Sequence, residues 1–217
     1  MNVLIVYAHP EPESFVGKMK ITAIDVLKQQ GHQVQISDLY DLNFKAIADY
    51  DDFLSPLSSG IFDLQAEQLH ASRTNSFSAD IIAEQHKLLW SHFIIFIFPL
   101  WWYSLPAILK GWVDRVLANG FAYGESYRLS GRRAMLCIST GGEPRPFTRD
   151  KQVVITGIVD HIQRGTLHFC GIDVLPPYAA YGGDHVTSEQ RKEYLVQFSQ
   201  MMASLPTIAP INYNDSL

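Results

Sequence analysis

The feature that most constrains the fold is an apolar run that leads directly into a helix through a cluster of aromatic residues. Phe93 to Phe98 is followed by Pro99-Leu100-Trp101-Trp102-Tyr103, and helical spacing then extends from 105 to 118. A short, fully apolar run bounded by turn residues is typical of a parallel strand buried on both faces. Because the carboxyl ends of such strands face the ligand crevice, the three aromatics predict a wall for a flat, π-rich molecule.

Similar strand and helix patterns alternate along the rest of the chain. We expect strands at 3–7, 34–39, 93–98, 133–139 and 173–175, and helices at 14–30, 78–90, 105–118, 153–169 and 187–202. Alternation of this kind implies a parallel sheet with helices on both faces, joined by right-handed crossovers. The sequence therefore predicts an α/β three-layer sandwich around a doubly wound, five-stranded parallel sheet with flavodoxin-like strand order.

The 217 residues suit a single domain spanning 1–217. Residues 41–78 show no strong periodicity, so we expect a long excursion there with one helical turn, and a proline-bearing tail after the last helix. Long connections of this kind are more often functional than accidental.

Composition excludes several classes of function. The formal charge of −5 and the lack of any Lys and Arg cluster give little support to nucleic-acid binding or a polybasic membrane surface. Cys137 and Cys170 indicate buried reduced thiols, and His161 and His168 do not have the spacing of a zinc pair. The apolar stretches at 3–6 and 93–103 are too short for a signal peptide or a membrane span. We therefore expect no metal, no stable membrane insertion and a cytoplasmic location.

The turn after the first strand reads His9-Pro10-Glu11-Pro12-Glu13-Ser14-Phe15 and contains no glycine. The Gly-x-Gly-x-x-Gly fingerprint of nicotinamide-binding Rossmann proteins is therefore absent. The turn still leads to a helix N-terminus, where the N–H groups of Ser14 and Phe15 and the helix dipole suit a phosphate. Simple capping by Ser14 is the alternative, and His9 either contacts that phosphate or ends the strand.

A second candidate element, Thr140-Gly141-Gly142, follows the fourth strand. Glycines allow backbone amides to approach a ring edge or a phosphate, although a tight turn explains the pair equally well. Asp114 and Arg115 lie on the preceding helix, where a solvated face is the favoured interpretation. No Gly-x-Ser-x-Gly elbow is present, so the sequence offers no hydrolase nucleophile.

Together these segments resemble the flavin-dependent NAD(P)H:quinone oxidoreductases. The resemblance is carried by the string from Phe98 to Trp112, by Gly120-Phe121-Ala122-Tyr123, by Thr140-Gly141-Gly142, by Leu167-His168-Phe169-Cys170-Gly171 and by Ala8-His9-Pro10. It implies a flavodoxin-like homodimer with flavin at the subunit interface. It also implies a ping-pong reaction, in which hydride passes from NAD(P)H through the flavin to a quinone or a similar electrophile.

The resemblance also implies roles for individual residues. His9, Ser14 and Phe15 would hold the flavin phosphates, and Thr140, Gly141 and Gly142 would meet the ring edge. Pro99, Leu100, Trp102 and Tyr103 would line the isoalloxazine, next to Trp101. Asp114 and Arg191 match positions near the adenine portion in FAD-binding members, which favours FAD over FMN. Tyr123 and Phe169 match aromatics that the second subunit lends to the substrate pocket.

The chain also departs from the family pattern. Phe147, which the resemblance places in the substrate pocket, stands where a tyrosine is usual. The family's histidine position falls near Val153, and Val16 stands where an asparagine is usual. We therefore expect backbone amides at Gly141 and Gly142 to oppose the negative charge of the reduced flavin, with stacking on Trp102. Two alternatives stay open: an ancillary regulatory subunit of a potassium efflux transporter, and a one-electron flavodoxin carrier.

Overall fold

A parallel sheet lies at the centre of the structure, a computed structural model that describes residues 1–57, 60–142 and 151–213. Its strands are β1 (Asn2–Tyr7), β2 (Gln33–Asp38), β3 (Phe93–Pro99), β4 (Arg133–Ser139), β5 (Asp173–Val174) and β6 (Tyr178–Ala180). The order is β2-β1-β3-β4-β5, with β6 also paired to β4, and every pairing is parallel. The predicted flavodoxin-like order is confirmed.

The fifth position of the sheet is divided between two short strands. β5 pairs with Arg133 and Ala134, whereas β6 pairs with the stretch from Cys137 to Ser139. Pro176 and Pro177 lie between them, and proline has no N–H to continue the ladder. The prediction of one strand at 173–175 therefore missed β6.

The central strand β3 is buried along its whole length, as its apolar composition predicts. Phe93, Ile95 and Ile97 pack in the cluster formed with helices α1 (Phe15–Gln29) and α6 (Ser188–Ser204). The alternate residues face the cluster that contains helices α3 (Ala79–Trp90), α4 (Ala107–Val116) and α5 (Lys151–Ile162). Helices thus cover both faces of the sheet in three layers.

The helix boundaries follow the expected signals at most ends. Ser14 Oγ accepts a hydrogen bond from Gly17 N at 3.0 Å, so the predicted cap is present. α6 begins with a capping box formed by Thr187 and Gln190. After α5 the chain continues as a π-helical turn and a 3-10 turn as far as Gly171, whose φ is +76°. No helix in the described residues is long and apolar enough to cross a membrane.

The segment at 41–78 holds more structure than the single helical turn expected. Helix α2 (Leu64–Thr74) has 11 residues, and a 3-10 turn spans Tyr50–Asp52. Two of the three buried residues of α2 are polar, Glu67 and Gln68, and they bond to Leu57 N and Asp114 O at 2.9 and 2.8 Å. Because hydrogen bonds rather than an apolar stripe hold α2, hydrophobic periodicity does not reveal it.

Arg115 corrects a second expectation, since its side chain is buried and not part of a solvated face. Its side chain is 1% exposed and donates to Asp52, Asp80 and the carbonyl of Lys45 at 2.7–3.0 Å. The bonds join α4 to the 3-10 turn and to the first turn of α3. From sequence alone a charged helix residue is assigned to the surface, because the distant partners that allow its burial are not visible there.

Candidate functional site

A cleft of about 520 Å³ opens at the carboxyl ends of β1, β3 and β4. This is the edge of the sheet where ligands bind in open α/β folds. The cleft is lined by His9, Glu11, Ser14, Phe15, Val16, Pro99, Leu100, Trp101, Trp102, Ser139, Thr140, Gly141 and Gly183. Three separate chain segments that the sequence singled out therefore meet at one place.

The first side of the cleft is the β1–α1 turn. The Ser14 N–H, expected to be available for a phosphate, donates instead to Glu11 O at 3.2 Å. The Glu11 N–H donates to His9 Nδ1 at 3.0 Å, which holds the imidazole against the turn. The amides of Phe15 and Val16 open α1, and the first amides of a helix have no partner within it. They are the donors that this helix end directs towards the cleft.

The second side is an aromatic turn after β3, with Trp101 and Trp102 on the cleft and Tyr103 beyond its lining. Trp102 is 95% exposed and Tyr103 is 50% exposed, so neither ring belongs to the core. Both residues have positive φ values, +49° and +60°. Bulky residues seldom adopt this conformation, and such strain clusters at functional sites.

The third side is the backbone after β4. Thr140 N donates to Ala180 O at 3.0 Å and Thr140 Oγ1 donates to Gly142 O at 2.8 Å, which fixes the loop. A Cβ on Gly141 would meet nothing within 4 Å, and its φ is not positive. Neither packing nor backbone conformation requires glycine there, so the bare backbone leaves room in the cleft. Gly142 is exposed beside it and does not line the cleft.

Four lining residues were not predicted as site residues: Glu11, Val16, Ser139 and Gly183. Gly183 has φ +38°, and a Cβ there would lie 3.1 Å from Thr140 O. The paired glycines Gly182-Gly183 just beyond the last strand were the available signal. Glu11 and Ser139 carry no such signal, because they are defined by the turns on which they lie.

Lysine and arginine side chains supply no positive charge to the described lining of the cleft. Its lining, within the described residues, includes Glu11 but no Lys or Arg. Tyr7 lies beneath the β1–α1 turn, where burial raises the pKa of its hydroxyl to about 12 against the lowering effect of the Ser14 hydroxyl. Tyr7 is therefore neutral at physiological pH. An anionic ligand group would depend on backbone amides and the dipole of α1.

Three predicted residues lie in a different cleft, of about 260 Å³, which shares no lining residue with the first. These are Asp114, Tyr123 and Phe169. The rings of Tyr123 and Phe169 are 5.5 Å apart between centroids, and Phe169 is 54% exposed. Burial raises the pKa of Tyr123, and the Asp114 carboxylate is paired with Lys110. Within one chain these residues do not meet the first cleft.

Arg191 lines a narrow crevice that shares Phe15 and Gly183 with the first cleft. The structure thus places it next to the candidate site and Asp114 away from it. Phe147 lies outside the described residues, as does the side chain of Val153.

Comparisons with known proteins were consistent along nearly the whole chain. A family model described as "Flavodoxin-like fold" matches residues 1–202. The ribosyldihydronicotinamide dehydrogenase [quinone] of Homo sapiens is 39% identical over 223 residues, which are 97% of this chain and 94% of the relative. NAD(P)H dehydrogenase [quinone] 1 of Cavia porcellus is 34% identical over 226 residues, 99% of this chain and 81% of the relative. The crystal structure of a candidate quinone reductase from Klebsiella pneumoniae is 41% identical in sequence, with a TM-score of 0.91. The alignment covers 97% of this chain and 87% of the Klebsiella chain.

Proposed function

The chain belongs to the family with the flavodoxin-like fold, and on that premise we propose that it is a flavin-dependent NAD(P)H:quinone oxidoreductase. The observation that carries the proposal is the first cleft, in which exposed indoles and bare glycine backbone meet a helix N-terminus. The names of the relatives from Homo sapiens and Cavia porcellus support a quinone as the acceptor. They support either ribosyldihydronicotinamide or NAD(P)H as the donor.

The residues present fit a flavin. A volume of about 520 Å³ lies within the range of sites that hold small organic ligands and cofactors. Trp101 and Trp102 offer flat apolar surface, and Gly141 leaves space that a Cβ would fill. The amides of Phe15 and Val16 are suited to a phosphate because helix N-termini attract anions.

The contribution of the chain to the reaction is binding, orientation and charge compensation. A bound flavin supplies the two-electron chemistry. Trp101 and Trp102 line one side of the cleft, and the backbone of Gly141 lines another, where its peptide dipoles would face a bound ring. Fixed dipoles in a shielded site oppose developing negative charge without reorganisation. Donor and acceptor enter through the same opening in turn, which gives a ping-pong sequence.

We propose FAD as the cofactor, with FMN as the other outcome of the test. The support is the position of Arg191, a cation in a narrow crevice that shares Phe15 and Gly183 with the lining of the first cleft. A flavin that extends beyond its first phosphate would bring a second phosphate towards Arg191, although the crevice itself admits no ligand group unless its walls move apart. Asp114, in the other cleft, gives no support within one chain.

We also propose a homodimer, because it accounts for the second cleft. Phe169 is 54% exposed and packs beside the partly buried Tyr123, in a cleft that shares no lining residue with the first. In a two-fold dimer each such surface would complete the site of the partner, in agreement with the roles that the resemblance implies. Light scattering after size exclusion tests the dimer, and a mixture of Phe169→Ala and Gly141→Trp chains tests whether sites are shared.

The central experiment begins with release of the cofactor from purified, denatured protein and its identification by chromatography. The intact protein is then assayed with dihydronicotinamide riboside, NADH and NADPH, each with a quinone as acceptor. If the protein takes up neither FAD nor FMN on reconstitution, the proposed function is wrong.

A pair of glycine variants localises the site. Gly141→Trp should fill the cleft and abolish flavin uptake and turnover while the melting temperature stays unchanged. Gly60→Trp is the matched control, because a Cβ on Gly60 also meets nothing within 4 Å and Gly60 lies outside the cleft. Stoichiometric flavin and full activity in Gly141→Trp would contradict the assignment of this cleft.

Neither the described structure nor these relatives support the alternative role as an ancillary subunit of a potassium efflux transporter. The cytoplasmic location stays a prediction from the sequence.

A further inference from the structure

The turn that carries the aromatic wall is strained and needs support from outside itself. Ser104 N donates to Trp101 O at 3.0 Å, which closes a tight turn with Trp102 and Tyr103 at its two central positions. Turns with two positive φ values ordinarily take Asn-Gly, because side chains with a bulky Cβ substituent are disfavoured there. Such a conformation persists when surrounding groups hold it.

The described structure provides such a group on another element. The hydroxyl of Ser104 and Nε2 of His161 are 3.3 Å apart, within hydrogen-bond distance. His161 lies in the last turn of α5, 57 residues further along the chain. Serine and neutral histidine can each donate or accept, so the bond forms with either tautomer. It ties the turn after β3 to the helix after β4.

The backbone at His161 is itself held by the π-helical turn that follows it. Its carbonyl accepts a hydrogen bond from Thr166 Oγ1 at 3.3 Å, across the π-helical turn Gln163–Leu167. Gln163 is 1% exposed and donates to Leu175 O at 3.0 Å, which anchors this turn to the sheet. Single π turns occur often at functional sites, where they shift the helix register. The imidazole therefore extends from a rigid base.

We propose that His161 is a positioning residue of the first cleft. By holding Ser104 it keeps the turn at Trp102 and Tyr103 in its strained conformation, and so fixes the indole wall against which a flat ligand stacks. His161 acts through Ser104 and does not need to touch the ligand. The inference rests on the proposed function for the identity of that ligand, but not for the mechanics of the turn.

The first test measures the turn without any ligand. Amide hydrogen exchange at Ser104 N–H reports opening of the turn, because this group donates to Trp101 O. His161→Phe and Ser104→Ala should each raise that exchange rate about threefold to tenfold, the effect of one net hydrogen bond. His161→Gln should restore the wild-type rate, since its amide also donates and accepts. His168→Phe is the control, because the His168 ring packs on Tyr213, 4.7 Å away between centroids, in the segment after α6.

The second test measures flavin affinity by titration of the apoprotein. His161→Phe and Ser104→Ala should each weaken binding about threefold to tenfold, and the double variant should be no weaker than either single one. Unchanged exchange at Ser104 in both single variants would overturn the proposal. Faster exchange with unchanged flavin affinity would also overturn it, since the turn would not then shape the site. Failure of the wild type to bind flavin would overturn the proposed function, while the exchange rates would still decide the role of His161 in the turn.

Discussion

Removing the charge of Asp52 should destabilise the protein more than any surface charge change. Asp52 is 1% exposed, and its Oδ1 accepts from Arg115 Nε at 3.0 Å, from Arg115 Nη2 at 2.8 Å and from Lys45 Nζ at 3.1 Å. Its Oδ2 accepts from Asp49 N at 3.3 Å. The variant Asp52→Asn keeps the shape of the side chain and leaves Arg115 buried with one carboxylate fewer.

The expected size of the effect follows from this geometry. Breaking a buried ion pair by neutralising one partner costs about 3–5 kcal/mol. Arg115 keeps two bonds of 2.7 Å, to Asp80 and to the Lys45 carbonyl, and Asp80 is 40% exposed. We therefore take the lower end, about 3 kcal/mol of unfolding free energy. With a urea m-value of about 3 kcal/mol/M, the midpoint should fall by about 1 M.

Urea unfolding followed by circular dichroism and tryptophan fluorescence measures the shift. The matched control is Glu125→Gln, because Glu125 forms the same type of two-bond pair with Arg73 on the surface. Exposed pairs contribute little, so its midpoint should not change. Equal midpoints for Asp52→Asn and Glu125→Gln would refute the view that burial of the pair joins the 41–78 segment to α4.

Three further predictions follow from burial and backbone geometry. Burial raises the pKa of Asp80, but the hydrogen bonds from Arg115 and Ser78 outweigh this effect, and the net pKa lies below 3.8. The ionised Asp80 therefore contributes stability at neutral pH, and this contribution is lost as the pH falls through the lowered pKa. In urea unfolding, the destabilisation caused by Asp80→Asn should accordingly become smaller below about pH 4. Burial raises the pKa of Cys170 to about 11 and also raises the pKa of Cys137. Mass spectrometry should find neither cysteine alkylated by iodoacetamide in the native protein at about pH 8, and both cysteines alkylated in the unfolded protein. Gly183→Val should lower stability by about 1–2 kcal/mol, because its φ of +38° is unfavourable for valine and its Cβ would press on Thr140 O; an unchanged melting temperature would count against this.

The sheet was predictable because its signal is local. β3 is apolar at every position, and β4 is apolar from Ala134 to Ile138 and matches the expected bounds of 133–139, because parallel strands buried on both faces carry near-continuous apolar runs. The cleft follows from the same signal, because the strand ends place the turn at His9, the indoles and the Thr140 loop at one edge.

The missing elements depend on contacts between distant segments. α2 is held by polar bonds such as Ser72 Oγ to Asn119 O at 2.7 Å, which no periodic pattern encodes. Arg115 is buried because Asp52, 63 residues away, is buried beside it. The contact between His161 and Ser104 likewise requires the end of α5 to meet the residue after Tyr103.

The absence of cations from the described lining of the cleft changes which mutations should matter there. A site that holds a phosphate with lysine or arginine loses affinity when one side chain is removed. In the proposed site the amides of Phe15 and Val16 take that role, so truncating the side chains at these two positions should leave the donors in place. We therefore expect substitutions to matter most where they disturb the backbone around the cleft: at Ser14, which caps α1, at Gly183, which approaches Thr140, and at Ser104, which closes the aromatic turn.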